Sequence, residues 1–166
     1  MTNLSLKKII FYFFILTVIF LLDRFSKLYI LNLADINGVV DIYINSFLNI
    51  ILVWNTGIGF GLLSFDESSI YNIVTFFITL INVVILYLVF KSNNFKSYFF
   101  IMILGGSLGN LFDRIYYSAV PDFIDLNYNN FHWFVFNVAD IFITLGILCL
   151  ILVELFFDKD EVNNEK

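Results

Sequence analysis

Long runs of apolar residues without charge dominate the sequence. Residues 70–90 contain no charged side chain, and these 21 positions would form a helix of roughly 31 Å, enough to cross the hydrocarbon core of a bilayer. Residues 98–112 are also uncharged, but they reach spanning length only if the helix continues past two charged residues. Residues 133–153 form a third run, which only Asp140 interrupts. The pattern predicts membrane spans at about 70–90, 98–117 and 133–153.

The first apolar segment, residues 9–22, follows Lys7 and Lys8. Its charge and length are those of a signal-peptide core, yet no Ala-x-Ala cleavage pattern comes after it. We therefore expect a retained helix that runs past Asp23 and Lys27 to about residue 31. With this helix, the sequence predicts an all-α integral membrane protein of four transmembrane helices, in a single membrane domain of residues 1–166.

The basic residues fall into two groups along these spans. Three of them, Arg24, Lys27 and Arg114, lie toward one membrane face, which they share with several aspartates. The lysines of the other group lie at the termini or in the short turn between the second and third spans, and by the positive-inside rule these regions are cytoplasmic. The group consists of Lys7, Lys8, Lys91, Lys96, Lys159 and Lys166.

Two regions, about 32–69 and 116–130, are then extracytoplasmic. In the first, Asn37-Gly38 is a typical two-residue hairpin signal. Apolar and polar residues alternate over residues 40–45, as they do in a half-buried strand, and the apolar run 47–54 offers a partner. We expect a small extracytoplasmic β-sheet region there.

The composition limits the possible functions. Hydrophobic residues make up 60% of the chain and charged residues 14%, and a water-soluble domain of this size could not cover so much apolar surface. Lys and Arg total only 9 and the net charge is −5, which argues against nucleic acid as a partner. One cysteine, Cys149, and one histidine, His132, are too few for an ordinary zinc site. We expect no metal and no other cofactor.

Asp140 is the most informative single residue. If its span begins near Trp133, the carboxylate lies about 10 Å along the helix from the interface. Ionisable groups at that depth are costly and usually functional. A structural role is the alternative, in which Asp140 pairs with Arg114 or Lys27 and holds two helices together.

The remaining charged residues have simpler interpretations. Asp113 with Arg114, and Asp23 with Lys27 four positions later, are most naturally ion pairs. Asp122 follows Pro121, the only proline, whose fixed φ restrains the backbone beside it. Asp125 reads as an ordinary acidic residue of a loop.

Two segments are rich in glycine. Residues 55–61 contain three glycines near the membrane, which suggests close approach to another chain or to substrate, or else a flexible hairpin tip. Residues 105–109 match the Gly-x-Ser-x-Gly nucleophile elbow, but they lie inside a helix without the strand which that geometry needs. The spacing of Gly105 and Gly109 favours small-residue helix packing instead.

Five motifs, taken together and in order, closely resemble the lipoprotein signal peptidases, also called type II signal peptidases. The resemblance extends from Asp23 to Asp140 and includes the four-span layout. Ser26, Gly59 and Pro121 depart from the usual family pattern. The motifs are Asp23-Arg24-Phe25-Ser26-Lys27, Asn55-x-Gly57-x-x-Phe60, Gly106-x-x-Gly109-Asn110-x-x-Asp113-Arg114, Asp122-Phe123 and Phe136-Asn137-x-Ala139-Asp140.

The resemblance implies a function and a set of site residues. Asp122 and Asp140 would form a catalytic dyad in the bacterial inner membrane, with the active site toward the outer face. The implied substrate is a prolipoprotein whose cysteine carries a diacylglyceryl group, cut on the amino side of that cysteine, with membrane lipid as a second partner. Supporting or substrate-binding roles are implied for Asp23, Lys27, Asn55, Gly57, Asn110, Asp113, Arg114 and Asn137.

The chemistry of paired carboxylates agrees with this implication. Two carboxylates in a low-dielectric site cannot both ionise cheaply, so one proton shared between them supplies an acid and a base. The leading alternative enzyme is a serine protease that uses Ser107, or Ser26 with a lysine. Adjacent Ser26 and Lys27, however, do not face each other on a helix. Outside the proteases, the buried charges could form a proton relay in a small transporter, or the chain could be a noncatalytic assembly subunit.

Overall fold

The computed structural model describes residues 5–57, 68–92, 95–128 and 131–156. Within these ranges the predicted combination of a helical bundle and a small sheet is confirmed. The remainder of the glycine segment 55–61 beyond Gly57, and Lys159 and Lys166, lie outside the described residues. In chain order the elements are α1 (Leu6–Asn37), β1 (Asp41–Asn45), β2 (Leu48–Asn55), α2 (Ser68–Lys91), α3 (Lys96–Tyr117), β3 (Val120–Tyr128), β4 (Phe131–Phe136) and α4 (Val138–Phe156).

Helix α1 is longer than predicted and ends at a glycine. Gly38 adopts a φ of 77°, which glycine reaches without strain, and its N–H donates to the Ala34 carbonyl at 2.8 Å. The prediction that Asn37-Gly38 is a hairpin turn is therefore wrong. The reversal between β1 and β2 comes at Ser46 and Phe47, where the Asn45 side chain accepts a hydrogen bond from the Phe47 N–H at 2.8 Å.

The four strands form one antiparallel sheet in the order β1-β2-β3-β4. The predicted pairing of the first two strands is confirmed, with Ile42 opposite Ile50. Strands β3 and β4 were not predicted. Because β3 lies between β2 and β4, Asp125 is a fully buried strand residue, and its interpretation as an ordinary loop residue is wrong.

The chain enters the last helix later than predicted. Residues 131–136 form β4, paired with β3 through Ile124 opposite Phe136, and α4 begins at Val138 rather than near Trp133. Backbone pairing with β3 decides the conformation of this aromatic run, which has a strand-like composition. Asp140 consequently lies in the first turn of α4, and the predicted position 10 Å along the helix is wrong.

In the part of the chain that the structure describes, three helices are long and apolar enough to cross a membrane, namely α1, residues 71–91 of α2, and α4. Much of their surface is apolar and exposed, which is the surface of a membrane protein. The remaining helix, α3, packs against all three of these. Its less apolar sequence follows from this central position, because its polar residues face protein rather than lipid.

The two ends of the bundle differ. At one end Tyr12, Val89 and Ile101 form an apolar cluster, beside the lysines that begin α1 and end α2. At the opposite end Ile30 packs against residues of the sheet. The buried charges of α1 and α3 lie at the sheet end.

Glycines bring α3 close to its neighbours at this end, and the prediction of small-residue packing is confirmed. A Cβ atom on Gly109 would lie 2.5 Å from the Asp23 carboxylate of α1. A Cβ atom on Gly106 would overlap the Ala139 carbonyl oxygen of α4. Helix α3 therefore joins α1 and α4 where the polar residues meet.

Candidate active site

A cavity of about 200 Å³ lies between the sheet and helices α2, α3 and α4. Six of the residues for which a catalytic or supporting role was predicted line it, together with Ser107, the candidate nucleophile of the serine-protease alternative, and Thr144, which was not predicted. Asp122 reaches the cavity from β3, and Asp140 from the first turn of α4. The six are Asn55, Asn110, Arg114, Asp122, Asn137 and Asp140.

Asn137 connects the two aspartates. Its side-chain amide donates to Asp122 Oδ1 at 2.5 Å. Its side-chain oxygen accepts the Asp140 N–H at 3.2 Å, and its own N–H donates to Asp140 Oδ2 at 3.2 Å. The last two bonds form the reciprocal pattern of a helix capping box, so the fold of the α4 N-terminus itself places the second carboxylate beside the first.

Asn55 holds the opposite side of Asp122. Its amide donates to Asp122 Oδ2 at 2.9 Å, and its oxygen accepts the Gly57 N–H at 2.8 Å. The backbone N–H of Gly57 can only donate, so this contact fixes the orientation of the Asn55 amide. Both oxygens of Asp122 thus receive a hydrogen bond from an asparagine whose orientation is set by backbone.

Asn110 performs the same role for Asp140. Its oxygen accepts a hydrogen bond from the Lys27 ammonium at 2.8 Å, and its amide donates to Asp140 Oδ1 at 2.8 Å. An ammonium group has no acceptor, so the Asn110 amide has only one workable orientation. Asp140 therefore presents an accepting oxygen to Asn110.

Lys27 lies at the centre of a buried charge cluster and has no exposed surface. The predicted pair with Asp23 is confirmed at 2.7 Å, and a second carboxylate, that of Asp113, lies at 2.7 Å. Asp113 also binds Arg24, so the predicted pairing of Asp113 with Arg114 is wrong. Asp113 and Arg114 are adjacent on α3, so their side chains point about 100° apart. Arg24 and Lys27, by contrast, lie on the one face of α1 that packs toward α3.

Asp23 also reaches the last helix. Its Oδ1 accepts the Ala139 N–H at 2.9 Å, one of the free donors in the first turn of α4. The charge cluster thus supports the α4 N-terminus directly through Asp23 and indirectly through Asn110.

Arg114 makes different contacts from those expected. It donates to the Gly57 carbonyl and lies over the Tyr71 ring, 5.5 Å from the ring centroid. The Tyr71 hydroxyl donates to the Arg114 carbonyl at 3.1 Å. The sequence analysis did not identify Tyr71 as a site residue, because no local pattern marks it. Among the described residues the buried Nη1 of Arg114 has no hydrogen-bond partner.

The site holds one more carboxyl group than it has cations, and neither Asp122 nor Asp140 is in direct contact with a cation among the described residues. Burial, and after it the charge of Asp140, raise the pKa of Asp122 to about 7. Hydrogen bonds from Asn55 and Asn137 and the charge of Lys27 oppose this rise. Within the described residues, three cations (Arg24, Lys27, Arg114) lie near four carboxyl groups (Asp23, Asp113, Asp122, Asp140), so a single proton on the fourth carboxyl neutralises the site.

The two predicted serine alternatives have little support from the geometry. The Ser26 hydroxyl donates to the Asp23 carbonyl at 2.8 Å, back along its own helix. Ser107 lines the cavity, but in the part of the chain that the structure describes no hydrogen-bonded base accompanies it. Nor does any group of three metal-binding side chains occur among the described residues.

The alternative role for Asp140, a structural ion pair with Arg114 or Lys27, is not observed among the described residues. Lys27 reaches Asp140 only through Asn110, and Arg114 binds Gly57. Asp140 is hydrogen-bonded by amide groups on both oxygens and faces the cavity.

Comparisons with known proteins agree with one another. The family model described as signal peptidase (SPase) II matches residues 15–157. A lipoprotein signal peptidase of Pelagibacter ubique is 54% identical over 165 residues, covering 99% of each chain, and one from Anaplasma marginale is 34% identical over 144 residues, covering 86% of this chain and 82% of the relative. A bacterial membrane enzyme solved by the in meso method at 2.3 Å resolution superposes with a TM-score of 0.69 at 25% identity, covering 93% of this chain and 91% of that one.

Proposed function

The chain belongs to the signal peptidase II family, and from this premise we propose that Asp122 and Asp140 are the catalytic pair of an aspartyl endopeptidase that removes the signal peptides of prolipoproteins. The observation that carries the proposal is the bridge made by Asn137, which hydrogen-bonds both carboxylates at the wall of one cavity. Two carboxyl groups held together in this way can divide acid and base roles between them.

Asp140 is the base in this proposal and Asp122 is the acid. Asp140 lies at a helix N-terminus, where backbone dipoles favour a negative charge, and it accepts hydrogen bonds from Asn110 and the Asn137 N–H. Asp122 has a pKa raised to about 7, so it holds the shared proton below that pH.

The reaction needs only a water molecule between the two groups. Asp140 takes a proton from the water as its oxygen attacks the scissile carbonyl carbon, while the Asp122 hydroxyl donates to the carbonyl oxygen. When the tetrahedral intermediate collapses, Asp140 passes its proton to the departing amine and Asp122 recovers its own. The products are a carboxyl group on the signal peptide and a free amino group on the cysteine.

Gly57 and Arg114 are proposed to bind the substrate peptide. Arg114 is held by Gly57 and Tyr71, and its buried Nη1 has no partner among the described residues, so it can donate to a carbonyl of an incoming extended chain. A buried donor left without a partner is costly, which supports a ligand at this position. Asp23, Lys27 and Asp113 support the site from behind.

We propose further that all four helices cross the bacterial inner membrane, with both termini cytoplasmic. Helix α3 contacts the three apolar helices and turns its charged residues toward α1 and the cavity, as a central span must. The sheet and the dyad then lie toward the outer face, where the diacylglyceryl group of a lipidated cysteine is anchored in the lipid. The bond on the amino side of that cysteine is the one cleaved.

The test is cleavage of a synthetic prolipoprotein peptide with a diacylglyceryl cysteine by the purified protein in detergent. Asp122→Asn and Asp140→Asn should each lower turnover by about 100-fold or more, because an amide can neither accept the water proton nor share one. Asp125→Asn is the matched control, since Asp125 is a buried aspartate three positions along the same strand and outside the cavity. Substantial turnover in either dyad variant, with Asp125→Asn fully active, would remove that residue from the mechanism.

A further inference from the structure

A second cavity, of about 220 Å³, adjoins the catalytic one. Its volume exceeds the roughly 150 Å³ of an apolar cavity that is able to bind benzene. Its walls are almost entirely apolar. They are formed by Leu126 of β3, Phe134 and Phe136 of β4, and Ile141 and Leu145 of α4.

The two cavities share Asp140 and Thr144, so whatever occupies the second cavity lies next to the proposed base. On its far side the cavity meets the exposed flank of α4. Ile141 and Leu145 are 37% and 45% exposed, and Leu148 continues the same apolar flank. In a membrane span this flank faces hydrocarbon, so the cavity connects the catalytic site with the lipid.

The lining restricts the chemistry of the occupant. Apart from the shared Asp140 and Thr144, the described side chains that line the cavity are hydrocarbon and carry no hydrogen-bonding group. A segment of peptide placed here would leave its backbone N–H and carbonyl groups unpaired, which is costly. An alkyl chain has no such groups and is stabilised by burial along its whole length.

We infer that this cavity binds one acyl chain of the diacylglyceryl group on the substrate's cysteine. The inference rests on the proposed function, because only that function brings a lipidated cysteine to Asp140. The scissile bond ends at the nitrogen of this cysteine, and the lipid is attached through its side chain, so an acyl chain starts only a few bonds from the reacting carbon. A chain that leaves the dyad along the exposed flank of α4 enters the cavity from the lipid side.

Leu145→Trp and Leu126→Trp fill the cavity from opposite walls and provide the test. Three peptides of one sequence, with dibutyryl, dioctanoyl or dipalmitoyl glyceryl cysteine, are cleaved in detergent micelles and their KM values compared. The wild-type KM should fall by about tenfold or more from the dibutyryl to the dioctanoyl peptide, since each buried methylene contributes about fourfold in affinity. In both variants the KM for the dipalmitoyl peptide should rise by about tenfold, and the preference for long chains should shrink.

Leu148→Trp is the matched control, because Leu148 is 49% exposed on the same flank but does not line the cavity. It should keep the wild-type ratio of KM values between short-chain and long-chain peptides. Because long chains partition into the micelle equally for this variant, it controls for that partition. Cavity variants that stay folded and also keep this ratio would overturn the inference. The inference would also be overturned if the rise in KM in the cavity variants depended on apolar residues of the signal peptide instead of on acyl length. Equal wild-type KM values for the short-chain and long-chain peptides would overturn it as well.

A crosslinking experiment does not depend on the folding of the tryptophan variants. The Asp122→Asn protein is mixed with a peptide whose acyl chains carry a diazirine at the eighth carbon, irradiated, and mapped by mass spectrometry. Adducts on residues 141–145 or on β3 and β4 are expected, and adducts confined to α1, α2 or α3 would overturn the inference. Failure of the wild-type protein to cleave any of the lipidated peptides would instead refute the proposed function itself.

Discussion

Three asparagine side chains hold the two carboxyl groups of the site. In each, the amide oxygen is committed to a partner that can only donate: the Gly57 N–H for Asn55, the Lys27 ammonium for Asn110, and the Asp140 N–H for Asn137. Each amide nitrogen must then point to a carboxyl oxygen. The carboxyl groups are therefore restrained before substrate arrives, which is the preorganisation that general acid and base catalysis requires.

The dependence of activity on pH follows from the state of Asp122. Its pKa is raised to about 7, mainly by burial. The proposed mechanism uses the acid form of Asp122, so kcat/KM should fall as the pH rises through about 7. Asn55→Ala removes a hydrogen bond that favours the charged form, so the pKa of Asp122 should rise and the alkaline limb should move to higher pH. Single-turnover cleavage across a pH range in which the protein stays folded measures both. A flat alkaline profile in the wild-type protein would contradict a shared proton.

Removal of the Lys27 cation should destabilise the protein far more than removal of Lys96, whose partner is exposed. Lys27→Met leaves Asp23 and Asp113 buried without their common cation, and a loss of about 3–5 kcal/mol of unfolding free energy is expected. Lys96→Met is the control, because its partner Glu154 is 68% exposed and such pairs contribute less than about 1 kcal/mol. Denaturant unfolding in detergent compares them. Equal losses would contradict the central role, as would a failure of Asp113→Asn to restore part of the stability of Lys27→Met.

At the scale of single residues, the sequence predicts the ion pair that is spaced by one helical turn, but it does not predict contacts between helices. Asp23 and Lys27 are four positions apart on one helix, so their pairing can be read directly from their spacing. Arg24 and Asp113 are 89 positions apart, and their contact depends on how α1 packs on α3. No pattern within either helix contains that information.

At the scale of elements, the hairpin of β3 and β4 carries Asp122 and leads directly into Asn137 and the first turn of α4. The sequence did not predict it, because an aromatic run such as residues 131–136 is equally typical of a membrane interface and of a strand. Pairing with residues 124–128 decides between them. The same pairing starts α4 at Val138, so that Asp140 stands at the helix N-terminus beside the sheet.

Gly109 allows α3 to approach Asp23 of α1 closely, because it carries no Cβ atom. Gly109→Ala should destabilise the protein by about 1–3 kcal/mol, because the new methyl group would lie 2.5 Å from Asp23 Oδ2, the oxygen that binds Lys27. The loss should appear even though alanine favours helix by about 1 kcal/mol over glycine.

Gly105→Ala is the control on the same face of α3. Its methyl group would lie 3.0 Å from a methyl of Ile19, a side chain able to move, so the loss should be smaller. Thermal unfolding and cleavage of the lipidated peptide measure both variants. Similar stability in the two would show that the Asp23 carboxylate can shift without cost.

At the scale of the whole molecule, the bundle has one end with lysines and one with the sheet and the dyad. Lys96 at the start of α3 pairs with Glu154 near the end of α4 at 3.0 Å, so these two helix ends lie together. The hydropathy of the sequence predicts the apolar helices α1, α2 and α4, although the first segment also has the charge and length of a signal-peptide core and the last span was predicted to begin too early. It identifies α3 less clearly, because a central helix that carries the polar residues of a site lacks the apolar composition of a span that faces lipid.

The proposed orientation of the bundle can be tested with single cysteines in a Cys149→Ala background, since Cys149 is the only native cysteine. Ser46→Cys lies in the turn between β1 and β2, and Ser92→Cys lies just after α2. Lysines flank Ser92, so the positive-inside rule predicts that it is cytoplasmic. A membrane-impermeant maleimide should therefore label Ser46→Cys in spheroplasts, and Ser92→Cys only after lysis.

The two labels together also decide whether α3 crosses the membrane. Strand β3 follows α3 and pairs with β2, so the end of α3 lies on the same side as Ser46. If Ser46 is outside and Ser92 inside, the 22 residues of α3 must span the bilayer between them. Retained cleavage of the lipidated peptide by both variants is the control for native structure. Labelling of both cysteines from outside would place α3 on one side of the membrane. The reverse pattern would invert the bundle and place Asp122 and Asp140 on the cytoplasmic side, away from the leaflet in which the proposed substrate would be anchored.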